Sequence, residues 1–421
     1  MSMRAQVAAW LTSAAGRRWI LRALLAYAVI GCVVWIQRPG DFAGYVVVGD
    51  LVRSGAHIYR DAPPGLNTWP PFFSLLCVPL AVLATPTPYL ARGVWLLLNI
   101  GLLLLVLHLI CRLVYGRALS LRASESTGTS LAAPEMLMPL LITDRYVSGN
   151  FDHLQVNIVI FALALGGLYW QRRGRWLLGS AALGCAAAMK VMPVVFIPYL
   201  AYRRRWREAI ATAVATALLS LSPMLLFGWN RFWDYVAAWR AAVAVGWGVG
   251  KMNQSVFAMW DRLLGHGMWP FTVDGMNDVP ESGAAIVTIV SALTLVAITL
   301  AALWCFRAEH DDEWRTVAEW SVVFIVSALF GPLTWKAYLV VLLLPHTLLF
   351  AAWRVPDADP HIQRRVGWIL ALSVALGALP SPGLVGKSVA GMLEMSSAVT
   401  VSVLVLLSGV LWLISRRSRF L

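Results

Sequence analysis

The 421-residue chain is 59% hydrophobic and only 13% charged, with a mean hydropathy of +0.71. No soluble domain of that length hides so much apolar surface, which excludes a soluble enzyme or a soluble nucleic-acid binder. The net charge of +13 sits in short Arg runs at the ends of apolar segments, the positive-inside pattern of membrane proteins. The chain therefore reads as an all-α, polytopic integral membrane protein. Its longest polar block runs from about 229 to 283, so a single membrane domain is expected over 1–421, with a first outer loop at 37–70 and a large outer loop at 229–283.

In chain order, apolar runs long enough to span, or nearly so, fall at 19–36, 71–87, 92–114, 131–147, 154–171, 176–202, 207–228, 284–307, 316–333, 337–353, 366–380 and 396–415. That predicts a bundle of about twelve transmembrane helices. Even parity puts both termini in the cytoplasm, in keeping with Arg17 and Arg18 at one end and Arg416, Arg417 and Arg419 at the other. The Ser-Ala-Ala near the N-terminus precedes the first apolar run, so that run reads as a retained helix rather than a cleaved signal. Asp41, the 229–283 loop, 334–336 and 380–394 then fall outside; 307–315 and 353–365 fall inside.

One conflict stands in this topology: twelve simple crossings put Arg172, Arg173 and Arg175 outside, against the charge rule. Either the cluster is an exception or an early segment is re-entrant. The 71–87 run is short and interrupted by Pro79, and 176–202 can break at Pro193 into two half-helices. The side on which 144–157 lies stays open.

The five cysteines, Cys32, Cys77, Cys111, Cys185 and Cys305, lie in or beside apolar runs without CxxC spacing, so neither a disulfide framework nor a zinc site is indicated. The first outer stretch, Asp41 to Pro71, gathers Asp41, Asp50, Asp61, Arg53, His57, Arg60, Tyr45, Tyr59 and Trp69. Acids, cations and aromatics at a membrane surface suit a sugar carried on an anionic lipid, and equally suit a solvated connecting loop. From Asp144 to Asn157 many hydrogen-bonding groups separate two apolar runs; Gln155 and Asn157 at the mouth of a helix are costly unless they line a polar cavity. Lys190 is an isolated cation deep in an apolar stretch, placed either to meet a lipid phosphate or to snorkel to the interface. In the large loop, Trp229, Trp233, Trp239, Trp247 and Trp260 suit interfacial anchoring. Lys251-Met-Asn253-Gln254-Ser255 is polar enough to be a substrate-contacting turn. Pro332 to Lys336, with Trp335, caps a late hairpin with a cation. His346 reads as a packed helix residue, and His108 has no partner spacing for a metal.

Taken together these stretches resemble glycosyltransferase family 87, polyprenyl-phosphate-sugar-dependent mannosyltransferases of the GT-C superfamily. The resemblance rests on Asp41-Phe-Ala-Gly-Tyr45, Gly55 to Tyr59, Trp69-Pro70-Pro71 and Pro79-Leu80. It continues through Gly149 to Asn157, similar to a Gly-Gln-x-Asn element but split by Asp152-His153-Leu154. Ala187 to Pro193 followed by Arg203 to Trp206, and Asn253-Gln254-Ser255, complete it. Lys336 stands where members often carry His, and a lysine replaces the cation without serving as the same neutral proton carrier.

The resemblance implies a GT-C-like bundle in the bacterial cytoplasmic membrane with its site facing the periplasm. It implies transfer of a sugar, by family habit mannose, from a polyprenyl-phosphate donor to a lipid or glycan acceptor. Asp41 would be the general base of an inverting displacement, preferred over Asp50 because it matches the Asp-x-x-x-Tyr pattern. Lys190, Lys251, Lys336 and Arg145 would stabilise the departing phosphate. Tyr45, Gln155, Asn157, Asn253, Gln254 and Trp335 would line the substrate site. No cofactor, no metal and no nucleic acid are expected, and the first outer loop, 37–70, lacks an Asp-x-Asp pair. A lipid-linked sugar transporter or a non-catalytic membrane partner is the alternative; a transporter should show an internal hydropathy repeat, and a non-catalytic partner should tolerate loss of Asp41.

Overall fold

The computed structural model of the protein describes residues 10, 13–123, 128–244, 248–267, 279–308, 312–331, 333–355 and 359–416. Trp247, Pro332, Arg417, Arg419 and the 268–278 part of the large loop lie outside the described residues. The regular secondary structure of the described residues is helical apart from a two-residue parallel ladder, β1 (Leu119–Ser120) with β2 (Thr129–Ser130). Six of its helical stretches are long and apolar enough to span a bilayer: Ala14–Trp35, Pro88–Tyr115, Trp206–Phe227, Ala285–Phe306, Lys336–Trp353 and Ala398–Arg416. This is an all-α, multi-pass membrane protein. Its contacts divide it into two compact units, one of Leu25–Leu109 with Ser148–Gly246, the other of Met1–Leu24, Ile110–Val147 and Trp247–Leu421.

In the first unit, the part of α1 (Ala14–Trp35) from Leu25 on leads through Gly40 into α2 (Phe42–Ser54), which Gly55 ends in the left-handed conformation at φ 71. Next come α3 (Pro71–Ala84) and α4 (Pro88–Tyr115). Gly49 of α2 allows close approach, since a Cβ there would stand 2.3 Å from the Cys77 carbonyl oxygen of α3. The Tyr45 ring meets Phe73, in the first turn of α3, and Trp95, early in α4, at centroid distances of 5.1 and 5.8 Å. Arg92 donates to the carbonyls of Ile36 and Gln37 at 3.3 and 3.4 Å, so α4 starts where α1 ends. The 71–87 run therefore stays at that end instead of carrying the chain across.

After α5 (Pro134–Asp152), α6 (Asn157–Arg172) and α7 (Trp176–Met189) form an antiparallel hairpin. They close on glycine: a Cβ on Gly179 would stand 2.4 Å from the Gly167 carbonyl oxygen. The 176–202 run is not one crossing. Lys190 is extended at φ −155, ψ 121, and the chain turns back through a 3₁₀ turn, Met192–Val195, into α8 (Phe196–Tyr202). Pro193 supplies no amide for a continuing ladder and suits the first turn of a new helical segment, so the helix ending at Met189 is not carried through it. Arg207, opening α9 (Trp206–Leu221), lies 4.2 Å from the Trp176 ring, and Gln171 donates to both Ser180 and Thr212 at 3.0 and 3.2 Å. The Arg172–Arg175 and Arg203–Arg205 clusters thus share one end of the unit, opposite Asp41. The conflict with the charge rule came from counting 71–87 and 176–202 each as a single pass.

α10 (Pro223–Phe227) and α11 (Trp229–Ala244) finish this unit, and α11 is pinned to the first outer loop. Asp234 accepts from His57 at 2.9 Å, Arg231 donates to the Ala56 carbonyl at 2.8 Å, and Trp239 donates to the Thr68 carbonyl at 3.1 Å. The Tyr59 hydroxyl donates to the Trp69 carbonyl at 2.7 Å. Most of the loop's polar groups thus hold the loop itself. Trp239→Phe, which keeps an aromatic side chain but gives up the pyrrole part of the indole and its N–H donor, is expected to cost about 1–2 kcal/mol and lower the melting temperature by a few degrees in a detergent melt.

The second unit holds α12 (Val256–Trp260), a π turn at Asp261–Gly265, α13 (Ala285–Phe306), α14 (Glu313–Leu329), a 3₁₀ stretch Lys336–Leu342 and α15 (Leu343–Trp353). These are followed by α16 (Pro360–Ser373), α17 (Pro382–Val385), α18 (Lys387–Met395) and α19 (Ala398–Arg416). Asp312 and Asp359 cap α14 and α16, each accepting from the amide two residues on, at 3.1 and 2.8 Å. α19 is the packing axis: Val399, Val403, Leu406 and Val410, all at 0% exposure, run along its buried stripe. His346 is a packed helix residue, as its sequence context suggests, bonded to the Leu342 carbonyl and the Ser373 hydroxyl at 2.9 Å each.

Candidate active site

Two polar clusters stand out, one in each unit. In the first, Asp41 sits at the start of α2, and its amide donates to the His153 carbonyl at 2.8 Å. Gly40, at φ 51, makes this approach possible, because a Cβ there would lie 2.4 Å from the same carbonyl oxygen. Arg38 and Asp152, paired at 2.6 Å, tie the two strands of chain together on the solvent side.

From Lys190 a directed chain of hydrogen bonds leads to Asp41. Lys190 Nζ donates to Asn157 Oδ1 at 2.8 Å, Asn157 Nδ2 donates to Gln155 Oε1 at 2.5 Å, and the Gln155 side chain bonds the Asp41 carboxylate. Asn157 Nδ2 also reaches Asn150 Oδ1 at 3.1 Å. Asn150, Gln155 and Asn157 are 2%, 3% and 6% exposed. Two buried amides therefore have their orientation fixed by a cation at one end and an anion at the other. Burial pushes the Asp41 carboxyl above the usual carboxylate range, while His153, Lys190 and the Gln155 bond pull the other way. A carboxylate with a raised affinity for protons, held by a relay of donors, is equipped to accept a proton from a hydroxyl.

Other sequence candidates fall into place around this. Asp50 is exposed and paired with Arg53 at 3.0 Å on the same helix, so it is a surface ion pair. Tyr45 is 1% exposed, its ring enclosed by Phe42, Trp69, Phe73 and Trp95. The expectation that it lines the substrate site is corrected: it anchors the helix that carries Asp41, because an aromatic at that turn faces the core. His153 and Asn150 join the cluster without having been singled out by chemistry; their place in the polar 144–157 stretch was the available signal.

The second cluster gathers Arg145, Lys251, Lys336 and, outside the motifs of the sequence, Glu394. Arg145 pairs with Glu394 Oε1 and donates to the Gly377 carbonyl at 2.8 Å. Lys336 Nζ meets the same Glu394 oxygen at 2.6 Å, and Lys251 is close enough to repel Lys336 electrostatically. Glu394 is 3% exposed. A lone carboxylate just ahead of the last apolar run was its only sequence mark.

The Lys251–Ser255 turn is a structural hub rather than a free substrate-contacting surface. Gln254, at 0% exposure, takes the Thr334 carbonyl on its amide at 2.8 Å and donates through Nε2 to the carbonyls of Lys251 and Glu394 at 2.8 and 3.0 Å. Asn253 Oδ1 accepts from the amides of Ser255 and Thr334 at 3.1 Å each. Both amides are buried because they knit the turn to the hairpin that carries Trp335 and Lys336, which are half-buried; what was expected of Asn253 and Gln254 as contacts passes to the cations they position.

Comparisons with known proteins bear on the identity of this arrangement. The chain is 29% identical over 249 residues to a polyprenol-phosphate-mannose-dependent alpha-(1-2)-phosphatidylinositol mannoside mannosyltransferase of Mycobacterium tuberculosis, covering 52% of this chain and 54% of that protein. The matched stretch thus spans about half of that relative's length. The protein of the same description from Mycolicibacterium smegmatis is 25% identical over 387 residues, covering 85% of this chain and 79% of the relative. Among solved structures, ArnT from Cupriavidus metallidurans bound to undecaprenyl phosphate aligns over 94% of this chain and 77% of that one, at 14% identity and a TM-score of 0.46, too slight a likeness to assign a fold. The sequence profile of glycosyltransferase family 87 matches residues 67–332, which includes Arg145, Gln155, Asn157, Lys190 and Lys251 and lies between Asp41 and Lys336. With more than half of its length matched, the chain belongs to glycosyltransferase family 87.

Proposed function

We propose that the protein transfers mannose from a polyprenyl-phosphate donor to a hydroxyl of a lipid or glycan acceptor, at the outer face of the bacterial cytoplasmic membrane. The observation that carries this reading is the buried relay from Lys190 through Asn157 and Gln155 to Asp41. Family membership and the mannosyltransferase names of its relatives support the donor class.

Asp41 takes the proton from the acceptor hydroxyl as its oxygen forms a bond to the anomeric carbon. The bond from that carbon to the phosphate oxygen breaks on the opposite face, its electron pair leaving on the polyprenyl phosphate, and the configuration inverts. Lys190, at the far end of the relay from Asp41, supplies positive charge for the departing phosphate, and the reaction is proposed to run without a metal. Trp335, beside Lys336, belongs to the same hairpin.

The test is transfer of radiolabelled mannose from synthetic polyprenyl-phosphate-mannose to membrane-lipid acceptors by purified protein, with and without a chelator. Transfer that survives the chelator supports the reading, and wild-type protein inert with this donor overturns it.

A further inference from the structure

In the second unit, four cationic side chains draw on two carboxylates. Arg145 and Lys336 both bond a single oxygen of Glu394. Lys251 lies within electrostatic range of Lys336, and Arg262 within range of Glu394 and Asp261. Arg262 is spent on structure: it is 1% exposed and donates to the carbonyls of Val249, Gly250 and Asn253 at 2.7, 3.2 and 2.8 Å and to the Ser397 hydroxyl at 2.7 Å. Asp261 is likewise committed, to the Ser282 amide at 2.9 Å and its hydroxyl. What remains, among the ion pairs of the described residues, is Arg145 and Lys336 sharing the carboxylate of Glu394, with Lys251 within electrostatic range of Lys336. The Arg145 and Glu394 side chains are only 8% and 3% exposed, so water screens this surplus poorly.

We propose that Glu394 is the resident counter-ion of an anion site, and that a lipid-borne phosphate replaces it beside Arg145 and Lys336. The geometry favours exchange over a permanent ion pair. Two cations converge on one oxygen, Oε1, from different elements, Arg145 from α5 and Lys336 from the start of the 3₁₀ stretch. A phosphate offers several oxygens to the same donors and satisfies an Arg fork better than one shared carboxylate oxygen does. Glu394 stands at the end of α18, next to the Ser396-Ser397 turn where Ser397 is left-handed at φ 64. Its backbone is held by Gln254 and its side chain by the cations alone among the hydrogen bonds of the described residues. In this role Glu394 is a positioning residue: it keeps the cations together without a ligand and competes with the ligand for them. Competition limits how tightly the phosphate product is kept, which favours its release. The inference rests on the proposed function for the phosphate's role, while the site itself stands on the charge cluster.

The experiment measures equilibrium binding of two anionic lipids, a synthetic polyprenyl phosphate and phosphatidylinositol in nanodiscs, with uncharged polyprenol as control. Wild type, Glu394→Gln, Lys336→Met and the double variant are compared. Removing the competing carboxylate is expected to tighten binding of one of the two lipids about tenfold, with polyprenol unchanged. Tightening for polyprenyl phosphate alone assigns the site to the donor carrier, and tightening for phosphatidylinositol alone assigns it to an acceptor headgroup. Lys336→Met is expected to weaken binding, and adding Glu394→Gln to it is expected to recover affinity. That pair of variants decides the matter if the single Glu394→Gln does not fold. Unchanged or weaker binding of both lipids on removal of Glu394, in either background, overturns the proposal. If removal tightens binding but the wild type transfers no mannose, the anion site stands and the proposed reaction is what fails.

Discussion

Asp41→Asn is expected to lower mannose transfer about 10²- to 10⁴-fold, the range lost when a positioned general base is removed. The substitution preserves size, and the new amide's oxygen still accepts from the Gln155 side chain, so the relay from Lys190 keeps its shape. Stability should move the other way from activity. Because burial raises the Asp41 carboxyl above its unfolded value, the ionised form is disfavoured in the folded protein, and stability falls as pH rises through the unfolded and then the folded value. At neutral pH the neutral Asn escapes that cost. The variant is therefore expected to melt at the same temperature as wild type or higher while being nearly inactive, with donor binding retained. Loss of activity accompanied by a lower melting temperature would make Asp41 a structural residue.

Lys190→Met is expected to cost about 10²-fold in transfer at neutral pH, comparable to removing one donor from a preorganised site. It removes the positive end of the relay, leaving Asn157 Oδ1 without its donor at 2.8 Å. Lys190 also lowers the proton affinity of Asp41, so its loss lets burial act with less opposition. A base works only when ionised, and the activity lost on acidification should therefore be lost at a higher pH in the variant than in wild type. Full recovery in alkaline buffer would mean that Lys190 acts only through the charge state of Asp41. Partial recovery, with a raised KM for donor, would mean that the ammonium also meets the leaving phosphate.

The membrane class, the all-α architecture and the packed role of His346 follow from the sequence by itself. Each rests on local chemistry: apolar run length, and a histidine inside an apolar helix. Even the conflict over Arg172, Arg173 and Arg175 was legible, because charge and length disagree there whatever the packing. Its resolution was not. That 71–87 stays at one end, and that 176–202 doubles back at Lys190, depends on what Tyr45, Arg92, Arg207 and Gln171 touch far along the chain. Only tertiary structure likewise sorts the polar residues by use. Tyr45, Asn253 and Gln254 have the composition of ligand contacts, yet burial commits them to holding helix α2 and the Lys336 hairpin. Glu394 is one carboxylate in a weakly polar stretch until folding brings it to Arg145, 249 positions away, and to Lys336. Pairing at such a separation leaves no periodic trace in the sequence, since it is the closure of the fold, not the local chain, that places opposite charges together.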